Sequence, residues 1–263
     1  MTGLIRRHGL AAYFLLTFAL AWALQGVLAV NGTSLSDPSA ATWLIVLSVL
    51  PGAVAVLLAR SAGPPAWPDL RSRITHWRVS PDRYLYPMAL VGIAEVLAAV
   101  TFVLLGGDLT LQPLILLAAP VVLAAAFAEE IGWRGYALPA MLRTLQPITA
   151  AVLLGVIWGV WHVPGQLLDP TAENLAVVVA FCAQTIGLSI VLTWAIARGG
   201  WAILVSAATH ATWNVIGNAA PLTTIGGRAM LAVAILSVAA VVILTVGRDL
   251  GVTPEREPVP VAA

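Results

Sequence analysis

The sequence "LILLAAPVVLAAAFAEEIGWRGY", residues 114–136, decides the fold. Its first fifteen residues carry no charge, and Glu129, Glu130 and Arg134 follow directly. An apolar run of this length is typical of a membrane-spanning helix, and similar runs recur along the chain. Of the 263 residues, 60% are hydrophobic and 10% are charged, whereas soluble domains carry about 25% charged residues. We therefore predict an all-α, polytopic membrane protein.

Clusters of Gly, Pro, Asn and Asp divide the chain into about eight predicted transmembrane helices. These cover residues 9–30, 41–60, 84–105, 112–128 with an extension, 148–164, 174–197, 201–219 and 226–247. Residues 1–247 are interpreted as one transmembrane domain, and 248–263 as a disordered cytoplasmic tail. The first apolar run is long enough for an uncleaved helix, and a signal peptide cleaved after Ala29 is the alternative.

The arginines predict how the protein lies in the membrane. All thirteen basic residues are Arg, and only Arg228 falls outside one alternating set of loops and flanks. By the positive-inside rule, both termini and the arginine-rich loops are predicted to be cytoplasmic. The absence of Lys, together with frequent Ala, indicates a bacterial source and hence the cell (inner) membrane. The net charge of +1 gives no reason to expect nucleic acid binding.

The segment "AEEIGWR" places two carboxylates on different faces of one helix. Arg134 lies four residues after Glu130, which is the spacing of an ion pair on one helix face. Glu129 points about 100° away from Glu130 and is free to face another group. This division suits a structural ion pair beside a reactive acid. The alternative is a charge cluster where the helix leaves the lipid.

Two further segments place polar side chains within apolar helices. His162 ends "LLGVIWGVWH", and a hairpin that turns at "RTLQP" would bring it level with Glu129, about 25 Å from the turn. His210 and Asn214 lie one turn apart on a third helix. Ionisable side chains in a bilayer usually face a cavity or a partner. We therefore predict one inner-leaflet pocket that contains all three motifs.

This set of residue types is compatible with two hydrolytic schemes. Glu and His can activate water as general bases, and His and Asn can stabilise an oxyanion. Alternatively, His162, His210 and Glu130 could bind Zn²⁺ while another Glu serves as the base. Glu95, in a separate helix, either faces the same cavity or pairs with an arginine at the inner surface, and no chemistry is assigned to it.

The three motifs resemble those of the CPBP intramembrane proteases, which include CAAX prenyl-protein endopeptidases and bacteriocin-processing enzymes. The family shows EExxxR, an aromatic residue four positions before His, and HxxxN. These read here as "EEIGWR", "WGVWH" and "HATWN". The resemblance covers a predicted catalytic core at about 113–218. Trp158 stands where the family commonly has Phe.

The resemblance implies a role for each motif residue. Glu129 and His162 would activate water, His210 and Asn214 would form the oxyanion site, and Glu130 and Arg134 would support it. It implies a membrane-associated protein or peptide as substrate and leaves open whether Zn²⁺ takes part; the oligomeric state is not predicted. Two other functions use the same polar cluster: a non-enzymatic immunity or scaffold protein, and a proton-coupled transporter.

Overall fold

The computed structural model of the chain describes residues 2–33, 40–167 and 175–252, and these residues form helices without any strand. The helices are α1 (Thr2–Val30), α2 (Ala40–Ala62), α3 (Ala66–Thr75), α4 (Pro81–Leu104), α5 (Ala119–Gly132), α6 (Leu138–Met141), α7 (Pro147–Leu167), α8 (Leu175–Arg198), α9 (Ile203–Ala219) and α10 (Ile225–Val246). The all-α prediction is confirmed. Parts of the predicted breaks at 31–40 and 165–173, and the tail beyond Val252, lie outside the described residues.

Seven helical segments in the described residues are long and apolar enough to cross a membrane. One of them, Pro113–Met141, joins a 3-10 turn, α5, a π-helical turn and α6 into a single continuous segment. The remaining predicted span, 201–219, corresponds to α9. This helix has 17 residues and is shorter than the ~20 that a bilayer requires. The predicted count of about eight is therefore close.

The bundle has two ends, which are held together by different contacts. The arginine-rich end comprises the connections 63–80, 142–146 and 199–202 and the turn after α10. There Arg83 Nη1 donates to Arg198 O over 3.0 Å, and Ile148 N donates to Arg248 O over 3.2 Å. The opposite end includes residues 105–112 and 220–224, where Gln112 N donates to Ala219 O over 2.8 Å. These contacts fix which helix termini share a level.

Glycines allow α7 and α8 to pack closely. A methyl group on Gly155 would lie 2.6 Å from the Cα atom of Ile186, so only a hydrogen fits between the two backbones. The interface also carries hydrogen bonds: Ser189 Oγ donates to Ala151 O over 2.7 Å and Thr185 Oγ1 donates to Gly155 O over 3.1 Å. Close approach of small residues with interhelical hydrogen bonds is typical of helix packing in membranes. This interface fixes the position of α7, which carries His162.

We expect Gly155→Ala to destabilise the protein by about 1–3 kcal/mol, because the added methyl group meets backbone atoms that cannot move independently. Thermal unfolding of the purified protein in detergent micelles measures the effect. The matched control is Gly26→Ala in α1, where no atom lies within 4 Å of the added group. The control should unfold at the wild-type temperature or slightly above it. Equal unfolding temperatures for Gly155→Ala and wild type would contradict this packing argument.

The helix that carries the charged motif contains an irregular turn. Trp133–Ala137 form a π-helical turn in which Leu138 N bonds to Trp133 O. The carbonyl of Gly135 receives no hydrogen bond from the residue four positions on, because Pro139 has no N–H, and Arg73 Nη1 of α3 donates to it over 2.7 Å. π-helical turns inside α-helices are frequent at functional sites. Here the turn links α3 to the segment that holds Glu130 and Arg134.

The chain after α10 begins with a packed turn. Residues 248–251 form this turn. Leu250 within it is fully buried, and Val252 directly after it is nearly so. Both side chains belong to the main hydrophobic core. The part of the predicted tail that the structure describes is thus attached to the arginine-rich end. The remaining residues, 253–263, lie outside the described residues.

Candidate active site

One cavity of about 440 Å³ lies among α4, α5 and the helices α7 to α10. Four of the six predicted site residues line it, namely Glu129, His162, His210 and Asn214. The other two, Glu130 and Arg134, are fully buried and do not line the cavity. A larger groove between α4 and α10 has a volume of about 730 Å³, but no titratable residue lines it. The smaller cavity is therefore the candidate active site.

Glu130 is held by two side chains inside the bundle. Arg134 Nη1 donates to Glu130 Oε1 over 2.9 Å, so the pair predicted from the four-residue spacing is present. His210 Nδ1 lies 3.1 Å from the same oxygen. A carboxylate only accepts hydrogen bonds, and His210 therefore donates through Nδ1–H. This contact connects α5 to α9 and sets the orientation of the His210 ring.

Trp158 connects Glu129 to His162. Its indole Nε1 donates to Glu129 Oε2 over 3.2 Å, and its backbone oxygen lies 2.9 Å from His162 Nδ1. Because a carbonyl oxygen only accepts, His162 carries its proton on Nδ1 and leaves Nε2 as a proton acceptor. The hydrogen bonds thus favour the tautomer of His162 that a general base requires.

The Trp158 ring also forms the shared wall between the two halves of the site. It is fully buried. Its centroid lies 4.9 Å from that of His210 and 5.7 Å from that of His162. The Arg134 guanidinium carbon stacks 4.7 Å from the same ring. One aromatic side chain therefore positions two histidines and the buried arginine.

The cavity is longer than the predicted inner-leaflet pocket. No described residue of the arginine-rich connections lines it, and Trp133 and Tyr136, which follow Glu129 toward that end, are buried. In the other direction the lining continues to Asn218 and Arg228. Motif spacing located the three motifs but gave no information on these outer residues. The space available to a substrate extends from the motif residues toward the opposite end.

Sequence reasoning missed several features of the site. Trp158 stands at a motif position, but its hydrogen bond to Glu129 depends on a ring orientation that spacing does not reveal. Trp213 lines the cavity, and so do Gln166 and Gln184 on α7 and α8. Gln166 could have been found from the sequence, because it lies four positions after His162 and therefore on the same face of α7.

Glu95 lines the same cavity. Of the two alternatives for this residue, the structure therefore supports the one in which it faces the cavity.

Each of the two histidines of the zinc alternative uses one ring nitrogen for a contact within the protein. His162 Nδ1 faces a backbone oxygen, and His210 Nδ1 faces Glu130 Oε1. Metal-binding histidines commonly donate their second N–H to a carbonyl or carboxylate in this way, so the Nε2 atoms are the donors that a metal would use. In the part of the chain that the structure describes, no three His, Cys, Asp or Glu side chains form a group that could hold a metal.

Comparison with known proteins agrees with the motifs. Residues 111–216 match the family model described as type II CAAX prenyl endopeptidase Rce1-like. A CAAX prenyl protease 2 of Methanococcus maripaludis is 24% identical over 233 residues, which cover 77% of this chain and 82% of that protein. The segment that matches the family model contains all three motifs. The resemblance to the CPBP intramembrane proteases is confirmed, and the matches support a CAAX-type intramembrane endopeptidase.

Proposed function

From this resemblance to the CPBP intramembrane proteases, we propose that the protein is an endopeptidase that hydrolyses peptide bonds of membrane-associated proteins or peptides. The observation that carries the proposal is the shared cavity, which Glu129, His162, His210 and Asn214 line. Ionisable groups inside a membrane are costly and mark functional sites. The motif residues lie toward the arginine-rich end of the cavity, so the proposal places cleavage near the cytoplasmic face of a bacterial cell membrane.

In the proposed reaction, Glu129 acts as the general base. A water molecule between Glu129 and His162 donates one O–H to the carboxylate and the other to His162 Nε2. As the first O–H bond breaks, Glu129 takes the proton and the water oxygen forms a bond to the substrate carbonyl carbon. When the C–N bond breaks, Glu129 returns this proton to the leaving nitrogen. The products are a carboxylic acid and an amine.

Asn214 and His210 would stabilise the negative charge that develops on the carbonyl oxygen. The side-chain amide of Asn214 donates one hydrogen bond. His210 already donates Nδ1–H to Glu130, so donation from Nε2 as well requires protons on both ring nitrogens. A single donor of this kind contributes about 10²–10³-fold to kcat in other hydrolases.

The scheme uses no metal, and we expect cleavage to survive metal removal. Protein reconstituted in liposomes should cleave a membrane-anchored peptide at an unchanged rate after treatment with phenanthroline, and it should contain only substoichiometric zinc. The non-chelating isomer of phenanthroline is the control for direct inhibition. Loss of activity with the chelator alone, followed by recovery with added zinc, would replace this scheme with one in which His162, His210 and Glu130 bind the metal.

A further inference from the structure

Glu95 on α4 is a buried carboxyl group that the proposed reaction does not use. Its side chain is only 2% exposed and lines the cavity that contains the motif residues. Neither carboxyl oxygen has a hydrogen-bond partner with normal geometry among the described residues. The backbone of Gly217 approaches this group, and a methyl group there would lie 3.3 Å from Glu95 Oε1. Among the described residues, the carboxyl group therefore has no side-chain partner.

The exposed apolar residues of α4 give the depth of this group. Leu85, near the start of α4, and Leu105, directly after its end, are 62% and 72% accessible. They are twenty positions apart, which corresponds to about 30 Å, the thickness of the hydrocarbon core. Glu95 is midway between them and thus lies near the centre of the bilayer. A carboxyl group at this depth without a partner is costly.

We propose that Glu95 is a specificity-determining residue, which binds the ammonium or guanidinium group of a basic side chain of the substrate. The inference rests on the proposed function and adds the substrate class. A buried carboxyl group without a side-chain partner ionises most readily when a cation binds beside it, and the resulting charge-assisted hydrogen bonds are roughly twice as strong as neutral ones. The cavity is also lined by apolar residues, including Leu44 and Val122, which suit the aliphatic stem of Lys or Arg.

The helical spacing predicts where this basic residue lies in the substrate. Gly217, which contacts Glu95, follows His210 by two turns of α9, or about 10 Å. An extended peptide advances about 3.3 Å per residue. The basic side chain should therefore be about three residues from the scissile bond. Asn214 lies between the two levels, as expected for a peptide that passes the oxyanion site before it reaches Glu95.

A set of matched peptides tests this inference. They share one sequence and carry Lys, norleucine, Gln or Glu at the third position on either side of the scissile bond. Wild-type protein should cleave the best Lys peptide with a kcat/KM about 10-fold higher than the norleucine peptide. Glu95→Gln should lower this ratio to about one, while the matched control Asp108→Asn, which removes an exposed carboxylate outside the cavity, should retain it.

The ratio of two peptides within one preparation does not depend on the fraction of folded protein, so a merely structural role of Glu95 would leave it unchanged. An unchanged ratio in Glu95→Gln, or a preference for the Gln peptide in the wild type, would overturn the inference. Binding gives the same comparison without cleavage. The ratio of the Kd values for the Lys and norleucine peptides is measured with the Glu129→Gln variant and with the double variant Glu129→Gln, Glu95→Gln. Binding selectivity without any cleavage by wild type would leave the inference intact and overturn the proposed function instead.

Discussion

Glu129→Gln should lower kcat/KM for peptide cleavage by about 10²–10⁴-fold, which is the usual contribution of a general base. Glutamine retains an oxygen that can accept the hydrogen bond from Trp158 Nε1, so the site should keep its shape. The amide cannot take a proton from water, however, and the nucleophile is no longer generated. Cleavage of a membrane-anchored peptide in proteoliposomes, followed by mass spectrometry of the products, measures the loss.

The control for this variant is Asp108→Asn, which makes the same chemical change in an exposed residue outside the cavity and should leave activity unchanged. Both variants should unfold at the wild-type temperature. Full activity of Glu129→Gln would refute the proposed reaction. If wild type also showed no cleavage while peptides bound in the cavity, a binding or scaffold role would become the better explanation.

Arg134→Met should destabilise the protein by about 3–5 kcal/mol. Arg134 and Glu130 are both fully inaccessible, and their ion pair measures 2.9 Å. Removal of one member of a buried pair leaves an uncompensated charge, which is the main source of the cost. Glu130 would keep its contact with His210 but lose its full positive partner. The midpoint of denaturant unfolding in detergent micelles measures this change.

The double variant Glu130→Gln with Arg134→Met tests the reason for the destabilisation. It removes both charges, so much of the lost stability should return even though His210 loses its carboxylate partner. Arg134→Lys keeps the charge but not the stacking on Trp158 and should have an intermediate effect. A double variant as unstable as Arg134→Met would show that lost packing, rather than unpaired charge, dominates.

Helical spacing was sufficient to predict the central ion pair and the different surroundings of the two adjacent glutamates. Glu130 pairs with Arg134, while Glu129 faces the cavity. The equal number of residues on each side of the turn predicts that His162 lies near the depth of Glu129, and both side chains line the same cavity. Such inferences succeed because i,i+4 contacts and hairpin depth depend only on the regular rise and twist of the helix.

Other features depend on tertiary contacts and could not be predicted in this way. The short helix α3 lies in a segment rich in Pro and Gly that was interpreted as a break, and its Arg73 is buried against the π-helical turn. The side to which Glu95 points depends on how α4 packs against α9. The hydrogen bond from Trp158 to Glu129 depends on the rotamer of an indole ring, which the sequence does not specify.

Because of the π-helical turn, the orientation of the residues that follow Glu129 and Glu130 depends on the exact number of residues in this segment. Such a turn contains one residue more than the α-helical turn it replaces, and this extra residue rotates the following segment by about 100°. Deletion of one residue within Trp133–Ala137 would restore a regular helix, yet it would turn Leu138 out of the core and separate Gly135 O from Arg73. The extra residue therefore acts as a one-residue insertion. It sets the angle about the helix axis at which the residues after the turn face the core, relative to the buried ion pair before it.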